Sequence, residues 1–282
     1  MGLLQNMMYG AAKRWIAGKD METALAKAKE ANGRGLGIIL NFLGEGITDQ
    51  AIANAHYEEY TRLQSAIKES RIDGCVSVKL TQLGLHNGDD SVVFERTERL
   101  VEDAESMGRM LWIDMEGSSV TTRTLKIYSR LLERHGNVGV ALQSYLKRSE
   151  NDLEQLMQIG GKVRLVKGAY KEPPDIAFRS REEVTSNYLR LLRTLFEKGE
   201  GFAVATHDSR PIEEAEMLSK SHQAKKFEFE MLRGIRDDLK ISLAKDGFRV
   251  VEYMPYGEDW YGYSVRRIKE HPSNIWLLLR SL

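Results

Sequence analysis

The chain has 282 residues, with 41 basic and 41 acidic side chains and a formal net charge of zero. That balance leaves no basic footprint for a nucleic-acid partner, while a hydrophobic content of 42% is ordinary for a globular chain with a sizeable core. The single cysteine, Cys75, excludes an internal disulfide or a cysteine metal cluster and fits a reducing compartment.

The opening stretch Met1–Met8 is apolar, but Lys13 and Arg14 end the run and no signal-peptide cleavage pattern follows. Asn6 stands where an N-myristoylation signal carries Ser or Thr. Residues 1–34 are expected to form an N-terminal helical segment, with two short amphipathic helices in the first 31. No run approaches the roughly 18 apolar residues of a membrane span. The expectation is a cytoplasmic protein with at most peripheral contact on the inner face of a membrane. Met1–Met8 and Ile275–Leu279 are the candidate contact patches, and buried packing is the commoner fate of such segments.

From residue 37 onward, short apolar or β-branched runs alternate with charged, helix-periodic stretches. The predicted strands are Gly37–Phe42, Cys75–Leu80, Met110–Met115, Val138–Leu142, Val163–Val166, Phe202–Ala205, Lys226–Phe229 and Phe248–Tyr253. The helical stretches between them include Asp49–Ser70, Ser91–Met107, Val120–Arg134, Glu182–Glu197 and Pro211–Ser219. Helix starts are marked by Thr48-Asp49, Asp89-Asp90, Ser118-Ser119 and Ser209-Arg-Pro211. Strand then helix, repeated around eight times, is the pattern of a parallel (β/α)8 TIM-type barrel, of the α/β class. No linker or low-complexity segment interrupts it, so residues 1–282 are expected to form one domain.

A barrel of this kind carries its chemistry at the C-terminal ends of the strands. Those ends read Asn41-Phe-Leu-Gly-Glu45, Val78-Lys79-Leu-Thr81, Ile113-Asp114-Met-Glu116 and Leu142-Gln143-Ser-Tyr145 for the first four. The later ones read Arg164-Leu-Val-Lys167-Gly168-Ala169-Tyr170, Ala205-Thr206-His207-Asp208, Phe229-Glu230-Met-Leu232, and Tyr253 at the last. Polar or charged groups stand at nearly every end, more than stability alone requires. Thr81 and Asp208 are also acceptable as caps of the helices that follow.

Three chemistries are open to such a ring. Metal-assisted hydrolysis needs clustered histidines, and of the six only His207 stands at a strand end, so no metal site is expected. Schiff-base chemistry by Lys167 or Lys79 is a second possibility. Cofactor redox chemistry is the third. Gly33-Arg-Gly-Leu-Gly37 precedes a strand, whereas a Rossmann fingerprint follows one, so a cofactor would sit over the barrel mouth. The segment from Tyr253 to Glu270 then adds a Pro-Gly turn, the tyrosines Tyr256, Tyr261 and Tyr263, and a helix carrying Arg266, Arg267 and Glu270. Tyr263, Arg266 and Glu270 share a face of that helix. Adjacent arginines beside aromatic rings suit a small ligand with a carboxylate and an apolar body.

Taken in order, these motifs carry a resemblance. Leu43-Gly-Glu45, Val78-Lys79-Leu80, Ile113-Asp114-Met-Glu116, Arg164-Leu-Val-Lys-Gly-Ala-Tyr170 and Ala205-Thr-His-Asp208 form its first part. Glu228-Phe-x-Met-Leu-x-Gly234, Tyr253-x-Pro-Tyr-Gly257 and Arg266-Arg267-x-x-Glu270 complete it. Over about Gly35 to Asn274 the chain resembles the FAD-dependent proline dehydrogenases, or proline oxidases, of the monofunctional type. The resemblance implies oxidation of L-proline to Δ1-pyrroline-5-carboxylate, the first step of proline catabolism, with electrons passed from FAD to a membrane quinone.

It also implies roles for individual residues. Arg266, Arg267 and Lys79 would grip the proline carboxylate, and Tyr253, Tyr263 and Leu232 would wall the pyrrolidine ring. Asp114 would stand beside Lys79 and the flavin, and Arg164 against flavin N5. Gln143, Lys167, Gly168, Ala169, Thr206, His207 and Glu230 would touch FAD, and Glu270 its ribose. Glu45 would pair with Arg267 in a gate over the site, beneath a last helix lying over the barrel mouth. One departure stands out: Gln is usual in this family where this chain has Glu230. Arg164 and Lys167 have opposite strand parity, so contact of both with one FAD requires the chain to leave strand geometry near Val166. A class I aldolase-like Schiff-base barrel using Lys167, or a non-catalytic amino-acid or flavin-binding protein, would draw on the same groups.

Overall fold

The computed structural model describes residues 9, 10, 12–86, 89–222 and 226–270, with backbone alone for 266–270. Met1–Met8 and Ile275–Leu279 lie outside the described residues, as do the side chains of Arg266, Arg267 and Glu270. The elements run α1 (Met21–Asn32), β1 (Gly37–Phe42), α2 (Gln50–Glu69), β2 (Gly74–Val78), α3 (Asp90–Ser106), β3 (Leu111–Ile113), α4 (Ser118–Leu132) and β4 (Val138–Gln143). They continue α5 (Ser149–Gln158), β5 (Val163–Val166), α6 (Arg181–Lys198), β6 (Phe202–Ala205), α7 (Ser209–Ser221), β7 (Phe227–Leu232), α8 (Asp237–Lys245), β8 (Val250–Tyr256) and α9 (Trp260–Glu270).

The strands are parallel throughout and form a closed barrel in chain order, as predicted. Closure runs through six registered positions from Gly37 opposite Val251 to Phe42 opposite Tyr256. Strand parity sorts the side chains. Ile38, Leu40, Val76, Val78, Phe229 and Met231 join the apolar layer between barrel and helices. Ile39, Trp112, Ala203 and Val251, with Cys75 and Tyr253, pack as a separate cluster inside the barrel. Trp112 fills this interior because Gly139 on the neighbouring strand has no side chain: a Cβ there would collide with the indole.

Helix starts follow local chemistry. Asp49 caps α2 by accepting from the Ala51 and Ile52 amides, and Asp89 caps α3 by accepting from Ser91. Ser180 and Glu183 form a capping box at α6. Two expectations need correcting. Gly117, not a serine, is the cap residue of α4, and Glu172 binds the Ser118 amide and hydroxyl from across the barrel rim. Thr81 caps no helix; it lies in the turn after β2 and bonds Glu116.

The last helix is held at the barrel mouth by the N-terminal segment. Trp15 Nε1 donates to Ser264 Oγ at 3.0 Å, and Ala12, Trp15, Ile16 and Leu43 enclose Trp260. The Ala17 amide donates to the Pro255 carbonyl at 2.7 Å, so this segment also runs along the end of β8. Hydrophobic burial there fixes where α9 leaves the sheet, and hence which of its residues face the strand ends.

Candidate active site

Strand twist and closure bring the C-terminal ends of the strands around one cavity of about 980 Å³. Its wall holds a knot of four donors on one carboxylate. Asp114, the residue after β3, has its Oδ1 2.6 Å from Ser77 Oγ and 2.8 Å from an Arg164 terminal nitrogen. Its Oδ2 lies 3.1 Å from Lys79 Nζ and 2.6 Å from the Tyr253 hydroxyl. Burial is the largest influence on Asp114 and alone would raise its pKa. Lys79, Arg164 and the two hydroxyls together overcome it and hold the carboxyl below its ordinary value. Burial, then the Asp114 charge, pushes the Tyr253 phenol up, so Tyr253 serves as a donor.

Lys79 Nζ also donates to Asn41 Oδ1 at 3.2 Å, which fixes the ammonium between β1 and β3. Arg164 lies on β5 with its guanidinium 4.6 Å from the Trp112 ring centre, a stacked cation–π contact. Its Nε approaches Glu230 Oε2 to 2.5 Å as an ion pair. The direction of approach is not that of a hydrogen bond: Arg164 Nε, its second terminal nitrogen and both Glu230 oxygens lack hydrogen-bond partners. Ion pairing with Arg164 lowers the Glu230 pKa, but burial outweighs it and neighbouring Glu228 adds to the burial effect, so Glu230 is pushed up to about 8. Burial likewise raises Glu228, against the pull of Arg249 and Arg164.

Between β3 and β5, β4 ends in Gln143, whose amide nitrogen donates to the Glu116 carbonyl at 2.9 Å. The Glu116 carboxyl, raised to about 7 by burial against the opposing hydrogen bonds of Thr81, braces the turn after β2. β5 ends at Val166, so Lys167 lies beyond regular strand geometry and lines the same cavity as Arg164 despite its opposite parity. Gly168 takes φ +103°, and a Cβ there would strike the Tyr145 ring. Lys167 pairs with Asp208 and donates to Thr185 Oγ1 at 3.1 Å. Asp208 occupies the cap position of α7, yet its carboxylate bonds Lys167 and Arg181 rather than the helix amides. His207 Nε2 accepts from the Leu232 amide at 2.8 Å, which assigns the ring proton to Nδ1.

Glu45, Lys79, Asp114, Gln143, Arg164 and Lys167 all line this cavity, with Gly168, Ala169, Thr206, His207, Glu230, Leu232, Tyr253 and Tyr263. Arg266, Arg267 and Glu270 belong to α9, whose first turn contributes Tyr261, Gly262 and Tyr263 to the wall. Glu45 accepts a hydrogen bond from the Tyr170 hydroxyl at 3.1 Å; its expected partner Arg267 has no described side chain. Sequence reasoning missed Ser77, Asn41 and the role of Tyr170. Ser77 was within reach, since it shares the parity of Lys79 two residues on. Both candidate Schiff-base lysines are tied to carboxylates, Lys79 to Asp114 and Lys167 to Asp208. Among the described residues, no group of three or more His, Cys, Asp and Glu side chains could hold a metal ion, and no helix is long and apolar enough to cross a membrane.

Known proteins resemble this chain along most of its length. The family model for proline dehydrogenase matches residues 24–275. Proline dehydrogenase 2 of Bacillus subtilis is 37% identical over 94% of this chain and 88% of its own length. The proline dehydrogenase of Deinococcus radiodurans is 35% identical over 99% of this chain and 92% of its own. Among solved structures, proline utilization A from Bdellovibrio bacteriovorus, inactivated by N-propargylglycine, superposes with a TM-score of 0.87 at 24% identity. That alignment covers 94% of this chain and 33% of the larger protein, and shows the shared fold. With its family model spanning nearly the whole barrel and relatives matched along most of their length, this chain belongs to the proline dehydrogenase family.

Proposed function

We propose that this chain oxidises L-proline to Δ1-pyrroline-5-carboxylate, using FAD held in the barrel mouth and a quinone as the final electron acceptor. Family membership supports the reaction. The observation that carries the site reading is the Asp114 knot, which fixes Lys79, Arg164 and Tyr253 on one wall of a single cavity.

The donor set fits a flavin. Arg164 keeps a buried terminal nitrogen without a hydrogen-bond partner at the cavity wall, suited to an electron-rich acceptor. Gln143, Lys167, Gly168, Ala169, Thr206 and His207 would hold FAD along the remaining wall, with Glu270 at its ribose. When bound, FAD supplies acceptance of a hydride from substrate carbon.

The chain supplies position and charge. Lys79 would bind the substrate carboxylate with Arg266 and Arg267, while Tyr253, Tyr263 and Leu232 bracket the ring. Fixing a substrate at both ends is a source of large effective molarity. Arg164 presents a preorganised positive charge that Asp114 and Trp112 hold in place. Asp114 is held ionised, so it acts as an orienting anion rather than an acid, and the substrate nitrogen would lose its proton to solvent. Glu45 and Tyr170 would form one side of a closing gate, with Arg267 opposite.

Equilibrium titration of the purified protein with FAD, followed by flavin fluorescence, tests the cofactor reading. Saturable uptake of one FAD per chain is expected, weakened in Lys167→Ala. A protein that takes up no FAD would overturn it. A borohydride-trapped adduct at Lys167 with a carbonyl substrate would support the Schiff-base alternative instead.

A further inference from the structure

We infer that Glu228 and Glu230 share one proton beneath Arg164, and that Glu230, acting through Arg164, makes the potential of the redox group in the barrel mouth depend on pH. The two glutamates are two apart on β7, so both point into the barrel. Glu230 is 3% exposed, and neither of its oxygens has a hydrogen-bond donor. As two carboxylates, the pair has no donor to offer itself. With one proton between them, one carboxyl donates to the other and an orphan oxygen is satisfied.

The surrounding charge argues the same way. Arg164 on β5 is the cation that touches Glu230, and it already pairs with Asp114 beyond β3. Arg249, before β8, lies 3.4 Å from Glu228 but binds Asp73 through two nitrogens at 2.9 and 3.1 Å. Lys79 at the end of β2 is directed to Asp114 and Asn41. The other titratable groups near the pair are Cys75 on β2, Tyr188 on α6 and Tyr253 on β8, which burial keeps neutral. Arg109 also binds Asp73, so the charges balance in number, but Arg164 is divided between Glu230 and Asp114 and Arg249 between Glu228 and Asp73. Each glutamate, if ionised, would hold its cation only in part, in a setting that penalises incompletely paired ions. The upward displacement of both carboxyl pKa values agrees with this geometry.

The consequence rests on the redox reading of the site. Oxidation breaks a proline C–H bond, with the electron pair leaving as hydride to the redox group, and the N–H proton passes to solvent as C=N forms. Negative charge on the redox group then draws on Arg164. An ionised Glu230 competes for that charge, whereas a protonated one leaves it available. In alkaline solution Glu230 therefore takes one proton from solvent as the site is reduced, and returns it when the electron acceptor reoxidises the site.

Two measurements test this. In FAD-loaded protein, dye-equilibrium midpoint potentials of wild type and Glu230→Gln should coincide at about pH 6. They should diverge by about pH 9, the wild type lying lower. Parallel lines would overturn the redox coupling. In FAD-free protein, the infrared band of a protonated carboxyl at about pH 7 should lose one component in Glu230→Gln; identical bands would overturn the shared proton. Should Glu230→Gln fail to fold, Glu228→Gln removes the sharing partner, and the break in the wild-type potential should move to lower pH; an unmoved break counts against the pair. A protein that takes up no flavin would sink the redox reading and the potential half of the inference, leaving the infrared difference to judge the proton.

Discussion

The Tyr253 hydroxyl lies 2.6 Å from Asp114 Oδ2, joining the last strand of the barrel to the third across its open end. Arg164 meets the same carboxylate from β5 and Lys79 from β2. One anion thus organises four strands, and its removal is expected to damage both stability and the site.

Asp114→Ala should be strongly destabilising, because it leaves Lys79 without its counter-charge and Arg164 with Glu230 alone. Losing one partner of a buried pair costs about 3–5 kcal/mol. Tyr253→Phe, which deletes one donor to a charged group, should cost about 1.5–3 kcal/mol. Denaturant unfolding of both variants checks the ranking, and equal losses would argue against Asp114 as the hub.

The carboxyl pKa directions give opposite pH behaviour at two sites. Asp114 is lowered in the folded state, so its contribution is present above the ordinary carboxylate pKa and is lost as pH falls through the folded value. Asp114→Asn should therefore flatten the acid side of the stability curve. Glu116 is raised to about 7, so the folded state binds the extra proton and stability declines as pH rises from the ordinary value towards neutrality. Between about pH 5 and pH 8 the wild type should lose stability relative to Glu116→Gln, by on the order of 2 kcal/mol. A gap between the two proteins that stays constant with pH would contradict this.

Gly168→Ala should lower both thermal stability and FAD uptake, since the new Cβ meets the Tyr145 ring at a φ of +103°. Gly160→Ala is the matched control: it also has positive φ, +71°, but nothing near its Cβ. The control should show only the backbone cost, about 1 kcal/mol. Comparable melting temperatures for the two variants would show that the Tyr145 contact is unimportant.

Arg266→Met or Arg267→Met should raise the KM for proline by about 30-fold or more, with a smaller change in kcat, because truncating one member of a desolvated charge cluster costs about 2–5 kcal/mol. A steady-state KM that stays at the wild-type value in both variants would remove the carboxylate-clamp role.

Much of this was legible in the sequence because barrel strands impose two constraints at once. Strand-to-helix alternation gave the order of elements, and the rule that function sits at strand C-termini picked out Lys79, Asp114, Arg164, Lys167 and His207, all of which line the cavity. Less visible was the interior below that rim. Ser77 points inward, but a short inward polar residue in a strand carries no local signal until the register places Asp114 and Arg164 beside it. Thr81 looked like a helix cap because its type suits one; the carboxyl that claims it, Glu116, is 35 residues away. Glu45 and Tyr170, 125 residues apart, meet only because the barrel closes.

Anaerobic addition of L-proline to the FAD-loaded protein tests most directly whether this cavity oxidises proline by handing its electrons to FAD. The absorption of oxidised flavin should bleach as Δ1-pyrroline-5-carboxylate forms, while pyrrolidine, which lacks the carboxylate, should bleach it far more slowly. Flavin that dithionite bleaches but L-proline leaves oxidised, or that pyrrolidine reduces as fast as proline, would contradict the account.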